Sequence, residues 1–325
     1  MTAFHRVRRQ QFLTEEYFVS NDRYFQEERD HWACALSAAG DTEEERRMLA
    51  RSTHASFAYN LLSLRYTSGA PIESLRVELG RVVEAYECFK VALATYENIP
   101  EVAPLGMGNI GDYERCLQLV GLCYLLHRRD LLPRLVALQD PAYRGADALY
   151  EDLLRYGLEQ RPETDELLHF DPYDLLLGAI WAQSDEESLT LLNEYVESWY
   201  PAFKYVPWHD GHLRINGTDG DYFGYWAFEA GAVAYLCNID DSAVTHMVYP
   251  KDLVDWARSH AHLSVTTAQE RQLNRLRCEA GQPCLKDGEW ETPAQTNSRR
   301  RFKQGEIMPS LDTDYGQTIW HWVEA

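Results

Sequence analysis

The residues best suited to chemistry lie between Trp199 and Trp256. His209, Asp210 and His212 fall within four positions, with Asp219 and Asp221 shortly after. Imidazole and carboxylate groups are common ligands of divalent cations, and two histidines at i and i+3 can share a centre on a turn. A metal-dependent helical hydrolase built this way needs further ligands from other helices. His169, His246 and His262 are available, but no spacing singles them out. The competing reading is a hydrogen-bonded polar turn that fixes the loop around it. Glycoside hydrolysis is a second possible chemistry, pairing Asp219 or Asp221 with Glu229, and it demands a defined carboxyl separation that spacing does not supply. Glu229 interrupts an apolar run, where a carboxylate satisfied by an arginine or by backbone amides is the simpler expectation. There is no Gly-x-Ser-x-Gly, no cysteine at a nucleophile spacing from a histidine, and no Gly-rich phosphate loop. Nothing in the pattern compels an enzyme, and no catalytic residue, metal or cofactor is assigned.

The elements that must position these residues are helical. Gly217, Asp219, Gly220 and Asp221 break the chain, and a short acidic side chain there predicts an N-cap. The run after it holds Phe223, Tyr225, Trp226, Phe228 and Ala230 to Ala234. Being apolar nearly all round, it predicts a helix buried on several sides. Trp199, Tyr200, Tyr205 and Trp208 are expected around it.

Upstream, apolar positions recur at helical intervals over Thr14–Ala39, Thr42 to about Tyr66, and Ile72–Tyr96, separated by Gly40-Asp41 and by Thr67-Ser68-Gly69-Ala70-Pro71. Long amphipathic helices joined by short turns predict antiparallel packing. Further helices are expected over Tyr113–His127, Leu131–Leu138, Ala146–Gly157, Tyr173–Trp181 and Glu186–Trp199. Cys116 and Cys123 are expected to face the core. Helical pattern persists to about Arg277. Beyond it, glycines and prolines crowd together with Trp290, Phe302, Trp320 and Trp322, which predicts short extended pieces held by aromatics rather than a disordered tail. The fold class is therefore all-α: a multi-helix bundle of antiparallel helices in two helical parts, with a small irregular or short-β, aromatic-rich C-terminal tail. The expected divisions are 1–139, 140–260 and 261–325.

Composition bounds the function. The N-terminus is basic and lacks the apolar core of a secretory signal, and no apolar run is long enough for a bilayer. Seven scattered cysteines, none in Cys-x-x-Cys, fit reduced buried thiols in a cytoplasmic protein better than disulfides. The net charge is −20, and residues 140–199 alone carry fifteen acidic against three basic residues. Such a segment is either a solvated face or a surface that attracts a basic partner and speeds its encounter. Direct nucleic-acid binding is disfavoured, since phosphates need neutralising cations. The short basic run Arg299-Arg300-Arg301 with Lys303 reads as a solvated or salt-bridged face.

The stretch carrying Trp199, Tyr200, Tyr222, Phe223, Gly224, Tyr225, Trp226, Phe228, Glu229, Ala230, Asp240, Asp241, Tyr249, Pro250, Asp252 and Leu253 resembles the C-terminal domain of PoNi-type immunity proteins. Proteins of that family protect bacteria against nuclease toxins delivered by type VI secretion and related systems. The all-helical first half is similar in organisation to the family's N-terminal domain. The tail departs from the family's usual ending and looks like a Trp-containing module found on other toxin-immunity proteins. The resemblance implies an inhibitor that binds a cognate nuclease domain and covers or distorts its active site, with no membrane and no direct nucleic-acid contact. The candidate toxin-binding residues are Asp165, Glu166, Asp185, Glu186, Glu187, His209, Asp210, Asp219 and Asp221. The aromatic motif, with Trp199, Tyr222, Phe223, Gly224, Tyr225, Trp226, Phe228 and Glu229, is expected to be mostly core.

Overall fold

Side-chain caps set where the long helices begin. The computed structural model describes residues 4–263, 277–292, 298–311 and 318–324. After a single turn, α1 (Phe4–Val7), helix α2 (Glu15–Trp32) starts at Thr14, whose hydroxyl accepts from the Tyr17 amide at 3.2 Å. Helix α3 (Glu43–Ser68) starts at Thr42, which accepts from the Glu45 amide at 3.1 Å, while the Glu45 carboxylate accepts from the Asp41 amide at 2.7 Å. This reciprocal pairing satisfies two amides that the helix leaves free. Helix α4 (Ile72–Glu97) follows the turn at Gly69, and α2, α3 and α4 pack as successive antiparallel neighbours.

Helix α2 ends earlier than the periodicity predicts. Residues 33–42 are not helical, because the Arg51 guanidinium donates to the Trp32 and Ala35 carbonyls and closes the helix at Trp32. A cation on the last carbonyls is a favourable C-terminal stop.

Helix α5 (Ile110–Leu125) is the central one. Asn109 caps it through the Gly111 and Asp112 amides, and from Tyr113 to Leu125 all residues but Arg115 are buried. The shorter α6 (Leu132–Tyr143), α7 (Ala148–Arg155) and α8 (Tyr173–Trp181) precede α9 (Asp185–Ala202), capped by Ser184. Helices α10 (Phe228–Leu236) and α11 (Lys251–Ser259) complete the set. Helix α10 crosses α5 closely, and a Cβ at Gly121 would meet the Phe228 carbonyl at 3.1 Å and the Ala232 Cβ at 3.2 Å. Buried side chains from Leu13 to Ala257 form one continuous cluster, drawn from both helical parts. No described helix is long and apolar enough to cross a membrane.

Four strands, β1 (Arg277–Glu279), β2 (Gly288–Glu291), β3 (Arg300–Phe302) and β4 (Ile319–Glu324), form an antiparallel sheet in the order β1-β4-β2-β3. Trp290, Phe302, Trp320 and Trp322 build a separate small core with Cys278, Cys284 and Met308. Residues 264–276, the last part of the expected helical pattern, lie outside the described residues. Arg299 pairs with Glu291 at 3.3 Å, as the salt-bridged reading of the basic run anticipated. The seven cysteines are free thiols, but Cys34 and Cys88 are exposed rather than buried.

Candidate functional site

The aromatic motif does not begin as a helix. Residues 221–227 are not helical and α10 starts only at Phe228, so the expected helix over Phe223–Ala227 is corrected. Asp221 is not its cap. The cause is long-range: side chains of the first seventy residues take the backbone groups that a helix would use. Tyr17 donates its hydroxyl to the Tyr222 carbonyl at 2.9 Å, and Thr67 donates to the Phe223 carbonyl at 2.8 Å. The Gln10 amide donates to the Tyr225 carbonyl at 2.6 Å and the Met247 carbonyl at 3.0 Å, and accepts from the Tyr225 amide at 3.0 Å. The Trp226 indole donates to Thr67 at 2.9 Å. Each is a buried polar group that needs a partner, and each partner comes from the other end of the chain. Gly224 adopts φ +117°, a conformation open to glycine.

The same logic explains the acidic positions of the motif. Asp241 is buried and accepts from Tyr249, Lys251 and Arg258. Burial is the largest single effect on its carboxyl and pushes it up, yet the hydrogen bonds from Arg258, Lys251 and Tyr249 outweigh it and hold it below the usual range. Asp252 pairs with Arg9 and accepts from the Tyr66 hydroxyl, another bond between the two ends.

Glu229 lies wholly inside the core, where the Tyr195 hydroxyl and the Trp199 indole donate to it at 2.7 and 2.8 Å. No arginine is its partner; of the two partners expected only a backbone amide, its own, contributes, beside the phenol and the indole. A second buried acid, Glu114 on α5, accepts from Gln118 at 2.8 Å and from Trp208 at 3.1 Å. Burial pushes Glu114 up to about 8, with the Arg115 charge opposing and the Glu229 charge adding to the shift. Burial likewise lifts Glu229 to about 7 against its hydrogen bonds from Tyr195, its own amide and Trp199. Both groups keep their protons in the folded chain at a pH where the unfolded chain, near 4.3, has released them. Their contribution is therefore most favourable below about pH 4 and is lost as pH rises through 7 to 8. Urea denaturation at pH 5.5 and 8.5, conditions chosen to bracket that window, is expected to give lower stability at the higher pH. Glu114→Gln should reduce that difference, and an unchanged difference would contradict the assignment.

The residues singled out for metal or hydrolytic chemistry are used locally. His212 exchanges a hydrogen bond of 2.8 Å with the Tyr225 hydroxyl and packs on Phe12. His209 stacks on Tyr200, whose hydroxyl donates to Asp210 at 2.8 Å. Asp221 pairs with Arg214 at 2.7 Å, and the Asp219 backbone closes a tight turn on Asn216. His169 meets the Met107 carbonyl. Among the described residues no three His, Cys, Asp or Glu side chains converge as a metal site. The glycosidase pair also dissolves, since Glu229 is in the core and Asp221 is on the surface with Arg214. What the structure gathers at 199–225 is the polar turn.

The acidic segment divides into two sets. Asp140, Glu151 and Asp152 are consumed by Arg161 and Arg155, and buried Asp147 caps α7 and accepts from Tyr113. Asp165 and Glu166, in the loop before α8, are exposed, as are Asp185, Glu186 and Glu187 in the first turn of α9. Glu187 accepts from the Gln183 amide at 2.8 Å, so it also serves the cap. Three acids at a helix start have a local reason, their interaction with the helix dipole. Asp165 and Glu166 have none, and make no ion pair among the described residues. Sequence reasoning missed Gln10, Tyr17 and Thr67, because nothing local marks a side chain whose partner lies 150 or more positions away.

Residues 145–253 match the family of PoNe immunity proteins (PoNi), C-terminal. The matched span runs from the turn before α7 into α11 and takes in the aromatic motif, the buried Glu229 and both groups of exposed acids. Over that span the match supports a PoNi-type immunity protein. The fold is similar to the crystal structure of protein PA2201 from Pseudomonas aeruginosa, with TM-score 0.62 and 21% identity over 78% of this chain and 92% of that one. No curated protein matches this chain.

Proposed function

We propose that this chain is a cytoplasmic immunity protein that binds the nuclease domain of a cognate PoNe-type DNase toxin, delivered by type VI secretion, and neutralises it stoichiometrically. The PoNi match over 145–253 carries this reading. Physical chemistry supplies its mechanism. A nuclease cleft is cationic because it holds phosphates, so an acidic protein can occupy it or its rim and exclude the substrate. The exposed acids Asp165, Glu166, Asp185, Glu186, Glu187, Asp219 and Asp221, with half-buried Asp210 and His209, form the face that meets the toxin. Residues 1–139 brace that part from behind, and 261–325 form a small third module.

Titrating a purified PoNe nuclease domain with this protein tests the reading. DNA cleavage should fall linearly and reach zero at one equivalent, whereas full cleavage at a large excess would sink it. Steering by the acidic face gives a second expected result. Asp165→Lys with Glu166→Lys should slow association about tenfold at low salt and weaken its salt dependence. Unchanged association rates would remove these two residues from the interface.

A further inference from the structure

Two of the most exposed large apolar side chains sit on loops that are firmly held. Phe170 is 67% exposed and Tyr205 is 87% exposed, with Leu213 at 71% on the same loop as Tyr205. The Phe170 loop is pinned by the Leu168 amide donating to buried Asp147 at 3.0 Å, by His169 against the Met107 carbonyl at 2.8 Å, and by the Ala148 amide donating to the Glu166 carbonyl at 2.7 Å. The Tyr205 loop is pinned by Arg214, which donates to the His209 and Pro207 carbonyls, both at 2.8 Å. These side chains face solvent because the backbone is built to hold them there.

Both loops meet the chain around the start of α5. His169 packs on Tyr113 with ring centroids 4.9 Å apart, Trp208 donates to Glu114, and Val206 lies 3.6 Å from where a Gly111 Cβ would stand. The two aromatics therefore belong to one end of the helical body. The charges at that end are mainly negative: Asp165, Glu166 and Asp171 are exposed and make no ion pair among the described residues, while Arg214 is taken by Asp221. Lys204 lies along the Tyr205 ring.

We infer that this end, with Phe170 and Tyr205 as anchors, is the docking surface for a basic protein. Aromatic side chains on pre-ordered loops lose little freedom on binding and are the residue types that dominate interface energies. The unpaired carboxylates select the sign of the partner's surface and exclude a nucleic acid as the occupant. This rests on the proposed toxin-binding role and names the face, and two side chains, that perform it.

The test measures affinity for a purified PoNe nuclease domain by the wild type, Phe170→Ala with Tyr205→Ala, and Val77→Ala with Val91→Ala. The last pair is also exposed, at 59% and 69%, but lies on α4. The double aromatic variant should bind about a hundredfold more weakly with an unchanged melting curve, and the α4 variant should bind like the wild type. Wild-type affinity in the aromatic variant, or a loss confined to the α4 variant, would overturn the inference while leaving the immunity role standing. Absence of binding by the wild type would instead remove the role itself, and this surface with it. Should the aromatic variant fold poorly, hydrogen exchange on the wild-type complex decides. Protection over 165–171 and 204–214 is expected, and protection elsewhere alone contradicts it.

Discussion

Gly224→Ala is expected to destabilise this protein by about 3 kcal/mol or more, a large share of the roughly 5–15 kcal/mol of a typical domain. Two independent costs add. The residue sits at φ +117°, where any side chain is strained. A Cβ there would also lie 2.1 Å from the Thr67 hydroxyl and 2.6 Å from the Trp226 indole nitrogen, the two groups that hydrogen-bond each other. Neither is the free end of a flexible chain, so relief requires breaking that bond and moving residues 221–227 off α3. Urea or thermal denaturation checks it, and a loss below about 1 kcal/mol would mean that residues 221–227 relax without cost.

Gln10→Ala is expected to be nearly as severe, although it removes one uncharged side chain. Gln10 donates to the Tyr225 and Met247 carbonyls and accepts from the Tyr225 amide and the Tyr222 hydroxyl. Its loss leaves several buried groups unsatisfied at about 1–3 kcal/mol each, for a total of about 3 kcal/mol or more. Gln10→Glu separates this cause from lost volume. It keeps the size but cannot donate to two carbonyls, so it should be no better than alanine. If Gln10→Glu were close to wild type, the hydrogen bonds would not be the reason for the loss.

These two residues also mark where sequence reasoning stopped. Thr14, Thr42 and Ser184 cap helices through amides three positions away, so those starts could be read directly. The bounds of α8 and the aromatics of the C-terminal sheet were legible for a similar reason, since apolar spacing reports burial. The non-helical run 221–227 was not. Its composition is that of a buried helix, and side chains supplied from α2, α3 and the segment before them hold it out of one. Glu229 was correctly placed in the core, but its phenol and indole partners follow from how α9 crosses α10. The polar turn at His209 to His212 was open between two readings until the partners of each ring were visible. Tyr205, expected around the buried helix, is instead exposed on its loop, and Phe170 carried no local mark, because exposure of an aromatic is a property of the assembled surface.

Direct neutralisation of a toxin is tested most directly by co-expressing this protein with a PoNe-type nuclease toxin from the same genome and purifying through a tag on the toxin. Immunity by binding predicts restored growth and a stable complex of the two proteins. Continued toxicity at ample expression of both proteins, with no complex recovered, would contradict it.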